Sequence, residues 1–335
     1  MSFFLQVALS GLALGCIYGL VALGVVVIFS ATRLLNFAQG EFLMLGGLTA
    51  WWTLTDQQWP FPLALVAVIA VGLVAGAVVS KLVVSQMISR GADNIAVVIA
   101  TLAVSIVLAQ GIARITGPQS RGVPAAISGD PILIGGAVLT KANLSIVIGS
   151  LVALAVFAYI RNRTRIGLSL RAVGANRSGA RILGMSVGLV ETVAFALSGA
   201  VAAFAGLLVT PVTGWTPTMG LNTAILGFIA AIVGGIASPY TAFAGGLLIG
   251  LLSSVLQAYL PPTFPFATAI LFAVLILVIA GLVGWCPVPR RGPARCAADG
   301  RRTSRTRSPR PTTPRPALRP PWRAPGAVSP GGNPG

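Results

Sequence analysis

Long apolar runs separated by short polar joints dominate this sequence, and they leave few folds open to it. They lie near 4–30, 38–54, 62–80, 95–115, 144–160, 188–210, 221–236, 242–258 and 266–285. Inside a bilayer a backbone N–H or C=O finds no water, so a spanning segment must satisfy its own hydrogen bonds. About 20 apolar residues in a helix cross a hydrocarbon core of about 30 Å. The expected fold is therefore all-α, one polytopic transmembrane helical bundle over residues 1–286 with about eight to ten membrane segments. The short 38–54 and 221–236 runs are candidates for re-entrant or half-helical segments. The first run has no basic n-region and is too long for a cleaved signal, so it reads as a retained helix. Composition agrees: 9% of residues are charged, against roughly a quarter in soluble domains.

The net charge of +17 would suggest a nucleic-acid partner were it spread over a folded surface. It is not: residues 290–335 hold eleven arginines and one acid, Asp299, which accounts for ten of the seventeen charges. No nucleic-acid partner is expected, and the medium around the body of the chain is membrane lipid. Residues 287–335 are dominated by Pro, Arg, Gly, Ala, Ser and Thr, too little apolar surface to pack a core, so disorder is expected there. Cys16, Cys286 and Cys296 form no paired spacing and histidine is absent, so neither a disulfide framework nor a metal site is expected.

Within the body, charge gathers in one place. Residues 161–185, RNRTRIGLSLRAVGANRSGARILGM, carry six arginines and no acid, whereas the preceding 160 residues hold six Lys or Arg in all. With this stretch cytoplasmic, nine alternating crossings put Arg33, the Lys81–Arg90 loop and the tail inside, and leave only Arg121 and Lys141 in the outer loops. That distribution predicts an external N-terminus and a cytoplasmic C-terminus. A topogenic anchor needs charge alone, yet this stretch also places Gly167, Arg171, Ala172, Gly174, Asn176, Ala180 and Gly184 at fixed intervals. Gly174 with Asn176 reads as a turn. Asn176 then caps a short helix over 176–184 that ends at Gly184, an element shaped for a groove in a partner. Glu191 follows where a carboxylate favours a helix N-terminus and nearby arginines.

The segment NFAQGEF places Asn36, Gln39, Gly40 and Glu41 within or beside an apolar run. Polar atoms at membrane depth are costly and face a cavity or a protein neighbour. A break at Gly40 would present amide dipoles to a substrate along a translocation path; equally, these residues could sit at the inner interface and cap the second helix, with Glu41 partnering Arg33. Gly11, Gly15 and Gly19 recur every four residues and mark a stripe for close helix approach. Gly234, Gly235, Gly245, Gly246 and Gly250 suggest two further packed helices with a tight joint near Ser238–Pro239.

Missing motifs narrow the function. Neither Lys81, after Ser80, nor Lys141, after Thr140, belongs to a phosphate-binding Gly-Lys-Ser/Thr loop. No carboxylate pair is poised for acid–base work, so a transporter is expected rather than an enzyme. Only Glu41 and Glu191 lie near spans, which disfavours proton coupling, although an ion-coupled carrier or channel for a small polar solute stays as the alternative.

The 167–185 stretch resembles the cytoplasmic coupling loop of bacterial ABC importer permeases, in the high-affinity branch serving branched-chain amino acids and, more distantly, sugars. GLALGCIYGLVALG at 11–24, LNFAQGE at 35–41 and GGIASPYTAFAGGLLIG at 234–250 are similar to three further family segments, in the same order. The resemblance covers about residues 5–280. It implies a permease of the bacterial cytoplasmic membrane with two ATP-binding subunits, a homologous sister permease and an extracytoplasmic substrate-binding protein as partners. ATP and Mg would be bound by those partner subunits and no cofactor by this chain. It further implies alternating access driven through the 167–185 loop, with Arg171 and Asn176 holding the coupling element. The family ordinarily ends soon after its last helix, so the 287–335 tail reads either as an extension or as a frameshift product.

Overall fold

The computed structural model describes residues 2–124, 132–134, 137–236 and 238–259. Eleven helices occupy them: α1 Ser2–Thr32, α2 Gln39–Trp51, α3 Phe61–Val79, α4 Ser85–Ser89, α5 Asn94–Thr116, α6 Lys141–Arg163, α7 Arg165–Ala175, α8 Arg177–Ile182, α9 Val187–Thr213, α10 Met219–Gly234 and α11 Pro239–Tyr259. A π-helical turn at Ser80–Val84 joins α3 to α4, making one continuous apolar helix over Phe61–Ser89. A second such turn, Trp52–Asp56, extends α2. The fold is an all-α membrane bundle with, among the described residues, six helices long and apolar enough to span; α2 and α10 are shorter. The expected span at 266–285 and the 287–335 tail lie outside the described residues. One addition was not read from the sequence: the 116–143 joint contains a small antiparallel pair, β1 Ile132–Ile134 and β2 Ala137–Leu139, with Leu133 opposite Val138.

Burial sorts the helices into layers. The apolar window of α1 is 83% buried and that of α9 67%, whereas those of α5 and α6 are each 17% buried. α1 and α9 therefore form the core, and α5 and α6 turn residues such as Ile99, Val107, Leu151 and Val156 outward, where lipid tails would meet them.

Small residues bring the central helices together. Lipid tails are as apolar as Leu, so helix association here rests on close van der Waals packing rather than on expulsion of water. A Cβ on Gly250 would lie 2.1 Å from Gly15 Cα, and one on Gly246 would lie 2.3 Å from Gly19 Cα. Gly11 faces Ser254 and Leu251 in the same seam. The Gly11–Gly15–Gly19 stripe thus meets Gly246 and Gly250, backbone against backbone. Gly234 and Gly245 close the α10–α11 corner, and Gly235 at φ +93° ends α10. On the other side of the bundle Gly72 and Gly76 of α3 approach Gly199 and Phe195 of α9. Substituting Gly250 with Leu is expected to cost at least the ~1–3 kcal/mol of overpacking and to lower the melting temperature of the detergent-solubilised chain. Gly111→Leu, with nothing within 4 Å of its Cβ, is the matched control that should leave it unchanged.

Candidate functional site

Two sets of candidate residues emerge from this fold: a helical hairpin at one end of the bundle, and a polar cluster within it. The hairpin is α7 and α8. Thr164 caps α7 by accepting from the Gly167 N–H at 3.3 Å, and Gly167 fits tightly under the end of α6, its Cβ position lying 2.2 Å from the Arg161 carbonyl oxygen. Leu170 and Val173 face inward, while Arg171 is exposed, its Nε donating to the Gly167 carbonyl at 3.4 Å. Ala172 is half-buried.

Gly174 does not form the turn read from the sequence. It lies within α7, and its reason is proximity: a Cβ there would sit 1.9 Å from the Ser30 carbonyl oxygen at the end of α1. The turn falls at Asn176, whose extended backbone (φ −152°) breaks the helix while its Oδ1 accepts from the Gly179 N–H at 2.9 Å, capping α8. Gly184, at φ +78°, follows α8 in the left-handed region that glycine tolerates. Ala180 packs with Val173 and Val187, closing the hairpin on α9.

Charge fixes the hairpin to the bundle. The Arg177 guanidinium pairs with the Glu191 carboxylate in the first turns of α9, and Glu191 is buried. Arg33, which ends α1 with a left-handed backbone (φ 60°), donates from Nη2 to the Gly174 carbonyl at 3.2 Å. Arg33 is therefore bonded to the hairpin, not to Glu41. The outward side keeps Arg171 and Arg181 exposed, and at the C-terminal end of α8 Ile182 and Leu183 are 86% and 82% exposed. Two bare aliphatic side chains beside arginines form a surface suited to an apolar, acid-rimmed socket.

The second set lies deep in the bundle. After Arg33 the chain turns back inward, and α2 starts only at Gln39, level with the interior of neighbouring helices. The Gln39 amide sits against Ser198, eleven residues into the 27-residue α9: Nε2 donates to the Ser198 carbonyl at 3.4 Å and Oε1 lies 2.7 Å from its hydroxyl. Gly24 leaves the room for that amide and offers its carbonyl to the Ser198 hydroxyl at 2.9 Å. Glu41 Oε1 accepts from Ser105, the midpoint of the 23-residue α5, at 2.8 Å. Asn36 Oδ1 accepts from the Ala38 N–H at 3.1 Å, and Thr101 accepts from the Phe37 N–H at 3.2 Å. Gly40 lies against Gly220 at the start of α10, a Cβ on Gly40 falling 2.2 Å from the Gly220 carbonyl oxygen.

Sequence reasoning missed Ser198, Ser105, Thr101 and Gly220. The hydroxyls sit inside apolar runs where a lone Ser or Thr carries no periodic signal, and Gly220 belongs to a joint. It also missed the opposite mouth, where Trp215 is buried and donates from its indole N–H to the Met44 carbonyl at 3.0 Å. Arg121 stacks there over Trp51, 4.2 Å from the ring centre, and pairs its backbone with that of Trp215. Among the described residues no His, Cys, Asp or Glu side chains gather into a metal-binding group.

The described residues thus form a helical membrane bundle with an arginine-rich hairpin clamped to its end and a polar break at its centre. The family is specific: residues 7–279 match the model for the permease component of branched-chain amino acid transport systems, and the chain belongs to that family. The high-affinity branched-chain amino acid permease LivH of Escherichia coli strain K12 is 26% identical over 303 residues, covering 84% of this chain and 96% of LivH. The probable LivH of Methanocaldococcus jannaschii is 30% identical over 269 residues, 78% of this chain and 83% of its own length. A more distant relative is the autoinducer 2 import permease LsrC of Escherichia coli strain K12 substrain DH10B, 29% identical over 189 residues, covering 55% of this chain and 51% of LsrC. No solved structure matches. The chain is thus a multi-pass membrane permease, a transporter subunit and not an enzyme.

Two substitutions probe the hairpin. Asn176→Ala should cost about 1 kcal/mol of local stability and speed hydrogen exchange at the Gly179 amide, while Asn176→Asp keeps the cap and the protection. Arg177→Ala should lower the melting temperature more than the Arg177→Ala/Glu191→Gln double variant, because only the single change strands a buried carboxylate.

Proposed function

We propose that this permease imports branched-chain or related amino acids across the bacterial cytoplasmic membrane by alternating access, driven by ATP hydrolysis in two separate subunits. The observation that carries the reading is the α7–α8 hairpin: exposed Ile182 and Leu183 at the end of α8, arginines around them, and attachment through Gly174 on Ser30, Arg33 on Gly174 and Arg177 on Glu191. A surface that is apolar at its centre and anchored behind both binds a partner and passes on that partner's movement. In this reading α7–α8 docks on an ATP-binding subunit, and closure of two such subunits shifts α1 and α9 between outward-facing and inward-facing arrangements. ATP and Mg belong to those subunits.

Orientation follows from charge. The hairpin end is cytoplasmic because the arginines gather there, which places the N-terminus and the Arg121–Trp51 mouth outside and the C-terminus inside. An extracytoplasmic binding protein delivers substrate at that mouth, and a homologous sister permease completes the pathway. The substrate class rests on the relatives, whose names specify branched-chain amino acids.

Affinity purification of the tagged chain from mild-detergent membranes tests this. ATP-binding subunits and a sister permease should co-purify with ATPase activity, and Ile182→Asp/Leu183→Asp should release the ATP-binding subunits. Gly174→Leu or Ala180→Leu should leave binding of the soluble receptor intact and abolish uptake; wild-type uptake in both, at normal expression, would remove the hairpin from the mechanism. A chain recovered alone that transports in vesicles without ATP would establish a secondary carrier instead.

A further inference from the structure

α2 and α10 both begin inside the bundle. Gly40, in the first turn of α2, touches Gly220, in the first turn of α10, and Ala224 one turn later. From that contact the helices run to opposite ends. α2 passes Ala203 and Thr210 of α9 to the exposed residues after Trp52, whereas α10 passes Val21 of α1 to Gly234 beside Thr241. Two helix N-termini, each carrying roughly half a positive charge, therefore meet near the middle of the spans.

Two buried side chains of the same segment are left incomplete. Glu41 is 1% exposed; its Oε1 is satisfied by Ser105, but its Oε2 has no hydrogen bond and, among the described residues, no cationic partner. That oxygen faces the α10 start, 3.2 Å from where a Cβ of Gly220 would be. Asn36 is 3% exposed; its Oδ1 is occupied by the Ala38 N–H, but its Nδ2 has no acceptor. Buried polar groups in native proteins are almost always paired, so an orphan acceptor and an orphan donor together require a reason. Gln39, between them, has both ends of its amide engaged by Ser198 and is structural.

We infer that the junction of the α2 and α10 N-termini is the subsite for the charged head of a zwitterionic amino acid, the ammonium meeting Glu41 and the carboxylate meeting Asn36 in the positive field of the two helix ends. The complementarity is in kind as well as in charge: a carboxylate acceptor lacks a donor, an amide donor lacks an acceptor, and two positive helix ends lack an anion other than Glu41 itself. The structure holds the subsite closed, because Gly40 and Gly220 are in contact; a substrate enters when α2 and α10 part. In the empty form Glu41 neutralises the two helix ends, and an arriving carboxylate takes over that task and frees Glu41 for the ammonium. The side chain of the substrate is not read here.

This inference rests on the amino-acid importer reading, and the test separates the two. The complete complex, reconstituted in proteoliposomes with its binding protein, is assayed for ATP-dependent leucine uptake and for ATP hydrolysis. Glu41→Gln keeps size and the bond to Ser105 but removes the charge. Uptake should fall by about tenfold or more, the scale of one charge-assisted hydrogen bond, while ATP hydrolysis stays near wild type. Asn36→Ala should fall similarly, with hydrolysis also retained. In the wild-type complex, dicyclohexylcarbodiimide should modify Glu41 during turnover, as read by peptide mass spectrometry, and leucine should slow that modification; this arm stands even if a variant fails to assemble. Leucine uptake by Glu41→Gln within about twofold of wild type, labelling unaffected by leucine, or no labelling in any nucleotide state would each overturn the subsite. A wild-type complex that imports no leucine with ATP would overturn the functional reading and the subsite with it.

Discussion

Starting a helix in hydrocarbon is the constraint on which this bundle turns. The first N–H groups of any helix have no partner in the helix itself, and most membrane helices leave that problem to water at the interface. α2 and α10 cannot. Around α2 the chain supplies local answers: Asn36 takes the Ala38 N–H and Thr101 takes the Phe37 N–H. The residual positive field of two helix ends is met by Glu41, which explains a carboxylate at a depth where an isolated charge would cost several kcal/mol. Glycine makes the solution fit, since Gly40 and Gly220 allow the two starts to touch and Gly24 makes space for the Gln39 amide.

The same residue type settles the helix contacts elsewhere. In water, Gly in a helix interior is a liability of about 1 kcal/mol; in lipid, backbone approach provides the dispersion that hydrophobic expulsion cannot. α1 therefore presents glycines to α11, and α3 presents them to α9, while the branched side chains of α5 and α6 point away from the core. On the remaining faces of α1 and α9, large side chains such as Ile17, Leu20 and Phe195 fill the core.

What the sequence disclosed follows from how local each signal is. The spans up to residue 259, the cap at Asn176, the stop at Gly184 and the proximity of Glu191 to the arginines are written within a few residues of each other, and the fold contains them. Gly174 misled because glycine permits a turn without requiring one; its contact with Ser30 lies 144 residues away in sequence and leaves no local trace. Ser105 and Ser198 were illegible for the same reason: one hydroxyl in an apolar run gains meaning only when Glu41 or Gln39 is known to face it. The polar character of residues 36–41 was plain, but which of its atoms are occupied and which are free could come only from three dimensions.

Arg33 joins the two sites in a way neither shows alone. Its guanidinium holds Gly174 of the hairpin, its backbone is in the strained left-handed region, and only residues 34–38 separate it from α2. Five residues span at most about 18 Å even when fully extended, and a turn at 37–38 shortens the connection further. The anchor of the hairpin and the polar interior are thus covalent neighbours, joined by one short connection.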